Sequence, residues 1–192
     1  MDETRLKIIN ATRELIQTKG FSAMTTKDIA NFAGVNECTI FRKFKSKKDI
    51  VISAMANEWH PNFSKDSFTP IIWELQPDLE MFANRYLTQV TTELVKLSIG
   101  LRAPQIYEET RDSIIKVPEV FIHSLTDYFK EMHKLQKISD QDFECLAVMF
   151  LSMLLGFQFF KASFDDLLTQ IQSQDYIGKT VVTFINGIGS IN

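Results

Sequence analysis

The sequence predicts an all-α fold: an N-terminal three-helix domain built round a helix-turn-helix, followed by a larger helical domain. Three observations carry this. The 192 residues include only seven glycines and five prolines, about 6% of the chain against an average near 12%. A sandwich or barrel needs such breakers at almost every strand end. Apolar residues recur three and four apart through most of the chain, with no strand-like alternation and no internal repeat. Ser, Thr, Asn and Asp stand just ahead of several apolar runs, where helices are capped. A hydrophobic content of 45% and a charged content of 23% are ordinary for a globular chain and exclude a disordered or collagen-like one. The length is enough to bury a real core.

The first helix is expected over Thr4–Lys19, where Ile8, Ala11 and Leu15 keep helical spacing with Ile9 and Ile16 beside them. Gly20 provides the stop, and Phe21 can fold back on the helix. Thr25 and Asp28 are spaced as a capping box ahead of Ile29, Ala30 and Ala33. Gly34-Val35 forms a tight turn, Asn36 can cap a helix over Glu37–Phe44, and Ser46 with Asp49 begins a fourth. Helix, glycine-containing three-residue turn, helix is the plan of a helix-turn-helix. Ile40 and Phe44 can seat its second helix inward with Val35, leaving Glu37, Thr39, Arg42 and Lys43 on another face. A recognition helix needs such a division between seating and reading; an amphipathic helix with solvated charges shows it too.

The net charge of −3 conceals an asymmetry. Residues 1–50 carry ten Lys/Arg and six Asp/Glu, a net +4, while residues 51–192 carry eleven and eighteen, a net −7. A basic head on an acidic body hints at contact with a polyanion.

The run Gly20 to Ile50, GFSAMTTKDIANFAGVNECTIFRKFKSKKDI, resembles the DNA-binding domain of TetR/AcrR-family transcriptional regulators. The likeness rests on Gly20-Phe21, Thr25, Ile29-Ala30, Ala33-Gly34-Val35, Thr39-Ile40-Phe41, Phe44 and Ser46-Lys47, about a quarter of the chain with its surroundings. It implies a DNA-binding set of Thr25, Thr26, Lys27, Glu37, Cys38, Thr39, Phe41, Arg42, Lys43 and Lys47. Thr25 or Thr26 would bond a phosphate at the start of the second helix. Thr39, Arg42 and Lys43 would face the major groove, with Glu37 and Cys38 in the first turn of that helix. Arg42 is the first candidate for a bidentate guanine contact, and Lys47 would hold a backbone phosphate. The sequence departs from the family at Phe41, where many relatives have tyrosine, so a phosphate contact through that hydroxyl is absent. Asn36 replaces a common serine and can still cap.

The resemblance divides the chain into a DNA-binding domain at 1–50, a connecting fourth helix at 47–58, and an effector-binding and dimerisation domain at 51–192. In this body the sequence predicts the fourth helix through Ile52, Met55 and Trp59, then a loop at 61–77 with three prolines. One helix is expected over Asp78–Ile99, broken by Gly100 and Pro104, then a short one over Gln105–Lys116. Another should begin at Pro118. A strongly apolar helix capped by Ser139 and Asp142 should reach Phe164, and a last one should span Gln174–Ile188. The resemblance implies a homodimer in which the last two helices pair with their twofold mates; the helix at 140–164, too apolar for one packed face, is compatible with that, and burial in a monomeric core would suit it too. Twelve of the sixteen phenylalanines lie in the body. Aromatics at helical spacing suit a core equally well, but a family-type cavity would be lined by Trp73, Phe82, Tyr86, Phe121, Phe150 and Phe157, with Arg102 or Gln158 orienting the ligand. Such a lining implies a small hydrophobic or aromatic effector.

Other function classes find no support. No GxSxG, P-loop or GxGxxG occurs, so neither catalysis nor a cofactor is expected. Glu119, His123 and Asp127 fall four apart on a face opposite Phe121 and Leu125, which reads as solvent-facing rather than as a metal site; no metal is expected. No apolar segment follows a basic start, so no secretory signal is expected. The uncharged run Cys145–Phe160 is sixteen residues, short of the ~20 of a spanning helix, so no membrane partner is expected. Cys38 and Cys145 lack metal-ligand spacing and suit a reducing cytosol. Cys38, on the recognition helix, is a candidate for oxidation sensitivity, although a lone cysteine without a nearby resolving partner is usually inert. The sequence reading is a cytoplasmic homodimeric regulator, a repressor that leaves a palindromic double-stranded DNA operator when an effector binds. The alternative keeps the DNA-binding head and makes the body a protein-interaction or architectural module without a small ligand.

Overall fold

The computed structural model describes residues 2–57, 59 and 68–188. Glu58, His60, Pro61 and residues 62–67 of the expected loop lie outside the described residues. The elements are α1 (Glu3–Ala23), α2 (Thr26–Ala33), α3 (Glu37–Lys43), α4 (Lys47–Asn57), α5 (Leu75–Gln89), α6 (Thr92–Gly100), α7 (Tyr107–Lys134), α8 (Phe143–Phe164) and α9 (Ser173–Gly187). No strand occurs among the described residues. Two compact units form: Met1–Pro61 with Glu93–Ile115, and Asn62–Thr92 with Lys116–Asn192.

In the first unit the local signals act as their chemistry requires. Asp2 caps α1 by accepting from the Thr4 N–H. At Gly20 the backbone takes φ 76°, ψ 158°, a region essentially closed to residues with a Cβ, and Phe21 turns back into the core. Thr25 and Asp28 make a reciprocal capping box. The Asp28 carboxyl is held down to about 2, chiefly by the Thr25 hydroxyl, then by the Thr25 N–H and Lys19. Gly34 ends α2 in the left-handed region at φ 65°. Asn36 accepts from the Cys38 N–H to start α3, and Ser46 accepts from the Asp49 N–H to start α4. Ile8, Ile9 and Ile16 pack with Ile29, Ile40, Phe44, Ile50 and Val51 in one core.

The same core takes in Leu97, Leu101 and Ile106, so α6 and the first turns of α7 fold with the helix-turn-helix although the chain reaches them only after α5. Gly100 explains how closely they approach. A Cβ there would stand 2.5 Å from Ile16 Cγ2 and 2.9 Å from the Ile16 carbonyl oxygen. The residue expected only to break a helix is thus also a contact surface.

After α4 the structure differs from the sequence reading in three places. The single helix expected over Asp78–Ile99 is two, because Val90-Thr91-Thr92 places three β-branched residues in a row and Val90 leaves helical geometry at ψ 74°. Gln158 stabilises the break by donating to the carbonyls of Leu87 (3.0 Å) and Val90 (2.8 Å), acceptors a helix end otherwise leaves unpaired. The two helices expected on either side of Pro118 are one, α7, with the proline inside it. Its ring forgoes the bond to the Ile114 carbonyl while the turns on both sides remain helical. The cap of α8 is Asp142 alone, accepting from the Cys145 N–H.

With 22 residues, α8 is long and apolar enough to cross a membrane by length and composition. The sixteen-residue count stopped at charges that lie near its ends. Its residues Leu146, Phe150, Leu154 and Phe157 are buried, and Phe150 meets Phe184 of α9 with ring centroids 5.0 Å apart.

Candidate functional site

The helix-turn-helix presents a polar outer surface on an apolar seat. Ile40 is fully buried beneath α3, while Cys38, Phe41 and Arg42 are exposed and Thr39 is half-buried. Arg42 makes no ion pair among the described residues, so its guanidinium keeps its full set of donors. Phe41, 55% exposed, offers an apolar surface of the kind that contacts a thymine methyl. Lys27 is exposed at the start of α2.

Other residues of the expected set have internal partners. The Thr25 hydroxyl both donates to Asp28 and accepts from its N–H. Thr26 donates to Glu37 across the turn at 2.6 Å, which ties α2 to α3. Lys43 pairs with Asp2, a tie that the sequence pattern gave no hint of. Lys47 donates to the carbonyls of Phe21 (2.9 Å) and Met24 (2.7 Å) and stands 4.5 Å over the Phe21 ring. Its ammonium therefore clamps the α1–α2 joint, a role its place in the sequence motif does not reveal.

In the second unit the aromatics expected to line a cavity separate into groups. Phe82, Tyr86 and Phe121 are buried in one cluster, with Tyr86 and Phe121 rings 4.7 Å apart, and burial pushes the Tyr86 phenol up. Phe68 joins them, 4.8 Å from both Phe82 and Phe121. Trp73, 37% exposed, lies parallel to Tyr128 at 6.0 Å. Trp73 and Phe82 border a cavity of about 180 Å³ with Phe68, Ser124, Tyr128 and Glu131. Phe150 belongs instead to the α8–α9 packing. Phe157 stacks on Tyr176 at 4.2 Å, beside a second cavity of about 350 Å³. Gln158 is committed to the α5 carbonyls. Arg102 is exposed in the other compact unit. The spacing Ser124, Tyr128, Glu131 along α7 was the available signal for the polar side of the smaller cavity. Glu119, His123 and Asp127 are exposed, and no group of three potential metal ligands gathers among the described residues.

Comparison with known proteins bears on this geometry. Residues 8–54, which contain the helix-turn-helix with its seating residues, match the family model of bacterial regulatory proteins, tetR family. Over this segment the chain is similar to the DNA-binding domain of TetR-family regulators. A relative from Bacillus subtilis (strain 168), the uncharacterized HTH-type transcriptional regulator YvkB, is 25% identical over 190 residues, 99% of this chain and 100% of its own. Among solved structures, the transcriptional regulator FadR from Bacillus subtilis in complex with stearoyl-CoA superposes with a TM-score of 0.69 at 19% identity. The match covers 96% of this chain and 99% of that one. NalD, the secondary repressor of the MexAB-OprM multidrug efflux pump in Pseudomonas aeruginosa, gives 0.69 at 16% identity, over 97% and 96% of the chains. At these identities the two structures establish a shared fold over nearly the whole length. The helix-turn-helix, the family model it matches and the regulator it is similar to support a DNA-binding transcriptional regulator.

Proposed function

We propose that the protein is a cytoplasmic homodimeric repressor that leaves a near-palindromic operator when a small, largely apolar effector binds its body. The observation that carries this is the α3 surface, with Arg42, Thr39 and Phe41 outward over a buried Ile40. Arg42 would read a guanine, Thr39 and Phe41 would contact neighbouring bases, and Lys27 with the α2 N–H groups would meet phosphate. Exposed Val148, Met149 and Leu155 on α8 and Val182 on α9 support pairing of the last two helices with a second copy, since monomers rarely leave such surface uncovered. A twofold dimer would set recognition helices about 34–36 Å apart, one turn of duplex. An effector that prefers the non-binding state by about 1–3 kcal/mol would shift operator affinity roughly 5–150-fold.

The cavities beside Trp73 and Phe157 support the effector half of this reading, and the FadR complex with stearoyl-CoA shows one TetR-fold regulator holding a small molecule. A second reading, a body that docks a protein and takes no small ligand, is favoured by exposed Phe164 at the end of α8 and exposed Leu167, Leu168 and Ile171 between α8 and α9. Calorimetry of operator binding with and without a candidate effector separates them. Unchanged operator affinity with saturated effector contradicts the repressor-release mechanism.

A further inference from the structure

The smaller cavity of the second unit has a chemistry that an apolar effector alone does not explain. Its walls are aromatic: Phe82 is fully buried at its base, and Tyr128 and Trp73 lie parallel beside it. Its polar edge comes from one stripe of α7, where Ser124, Asp127 and Glu131 follow the i, i+3, i+7 spacing that shares a helix face and all border the cavity. Ser124 Oγ is buried without a hydrogen-bond partner among the described residues, a condition native proteins seldom leave uncorrected. At about 180 Å³ the space equals about six waters of liquid volume, suited to a single ring or a short head group rather than a long acyl chain.

The charged side chains that border it among the described residues are the carboxylates of Asp127 and Glu131. Asp78, 1% exposed, accepts from the N–H groups of Ile72 and Glu74 and from the Tyr128 hydroxyl at 3.1 Å. Burial pushes the Tyr128 phenol up, and Asp78 and then Glu74 push it further, so the rim is electronegative. Among the described residues, Lys134, 66% exposed, pairs with Glu131, and Lys137 is held by Glu74 and the Trp73 carbonyl. Those bonds also fix Trp73, whose φ of 62° a tryptophan adopts only when its surroundings impose it. An aromatic wall set against carboxylates is the environment that attracts a cation, through ring quadrupoles and charge-assisted hydrogen bonds. The net −7 over residues 51–192 adds a field of the same sign.

We propose that this cavity binds an organic cation: an apolar ring carrying a protonated amine, the ring against Trp73 and Tyr128 and the ammonium donating to Ser124 Oγ, Asp127 and Glu131. This deepens the effector reading above and rests on it only for the consequence at the operator. The test is calorimetry on the full chain with three probes of one shape: 2-phenylethylamine, neutral propylbenzene and anionic 3-phenylpropionate. The amine should bind saturably and at least tenfold more tightly than propylbenzene, with no heat from the anion. Asp127→Asn with Glu131→Gln should weaken the amine about tenfold and leave propylbenzene unchanged, with an unaltered circular dichroism spectrum, since both are surface positions. Quenching of Trp73 fluorescence in a Trp59→Phe background gives an independent readout at the site. Equal binding of amine and propylbenzene, an unaffected double variant, or no amine binding would overturn the proposal. Operator affinity measured alongside keeps the two readings apart. Charge-selective binding without operator release upholds the site and counts against the effector reading. Release by a ligand indifferent to both carboxylates upholds the effector reading and overturns the site.

Discussion

Replacing Lys47 by methionine keeps most of the side chain over Phe21 and removes only the ammonium. In the structure that ammonium donates to two carbonyls at 2.9 and 2.7 Å, with a longer reach of 3.4 Å to Ser22. A hydrogen bond from a charged donor is worth about 1.5–3 kcal/mol. The site is half-buried, so water recovers part of the loss, and the two short bonds together should be worth about 2 kcal/mol. That is roughly a thirtyfold change in an unfolding equilibrium, visible as a lower urea midpoint at unchanged slope. Operator binding of the folded variant should keep its salt dependence. Had Lys47 instead held a phosphate, the slope of log affinity against log salt would fall by about 0.9 with stability intact. An unchanged urea midpoint with that reduced slope would refute the clamp and restore the motif-based role.

Gly100→Ala should destabilise by about 1–3 kcal/mol through overpacking, because the new methyl meets backbone as well as the Ile16 side chain; thermal melting measures it, and an unaltered melt would mean α6 does not press on α1. Asp28, its carboxyl lowered from 3.8 to about 2, stabilises the fold fully above its ordinary value and loses that contribution as pH falls through its folded value. Asp28→Asn should therefore flatten stability against pH between 3.8 and about 2, as followed by denaturant titrations across that range. Gln158→Leu leaves the Leu87 and Val90 carbonyls without their donor and should cost about 1–3 kcal/mol, read as a shift in melting temperature; stability equal to wild type would show that the α5–α6 break satisfies itself.

The head was largely legible because its signals are local. Thr25, Asp28, Gly34 and Asn36 act within four residues of their own positions, and pattern reading sees that range. What it missed in the head is long-range: Lys47 reaching back to Phe21, Lys43 reaching Asp2, and residues 93–115 joining a core begun at Ile8. In the body, helix positions followed from apolar spacing, but two boundaries did not. The break at Val90 depends on an amide from α8, and Pro118 is overridden by the turns flanking it. Of the aromatic residues named from the body, Phe82, Tyr86, Phe121, Phe150 and Phe157 are buried and Trp73 is exposed; spacing alone could not separate Phe150, packed on α9, from Trp73, at a cavity edge. The cavity's polar side escaped notice because Asp127 read as part of a solvated face.

Affinity of the purified chain for duplexes selected from genomic fragments, measured by fluorescence anisotropy for wild type and Arg42→Ala across a salt series, tests the DNA-reading claim most directly. The account predicts wild-type preference for the selected sequence over a scrambled one, with steep salt dependence. Arg42→Ala should lose about 1–3 kcal/mol on the selected duplex and little on the scrambled one. Equal affinity of wild type for both duplexes, or equal losses on both for the variant, would contradict it.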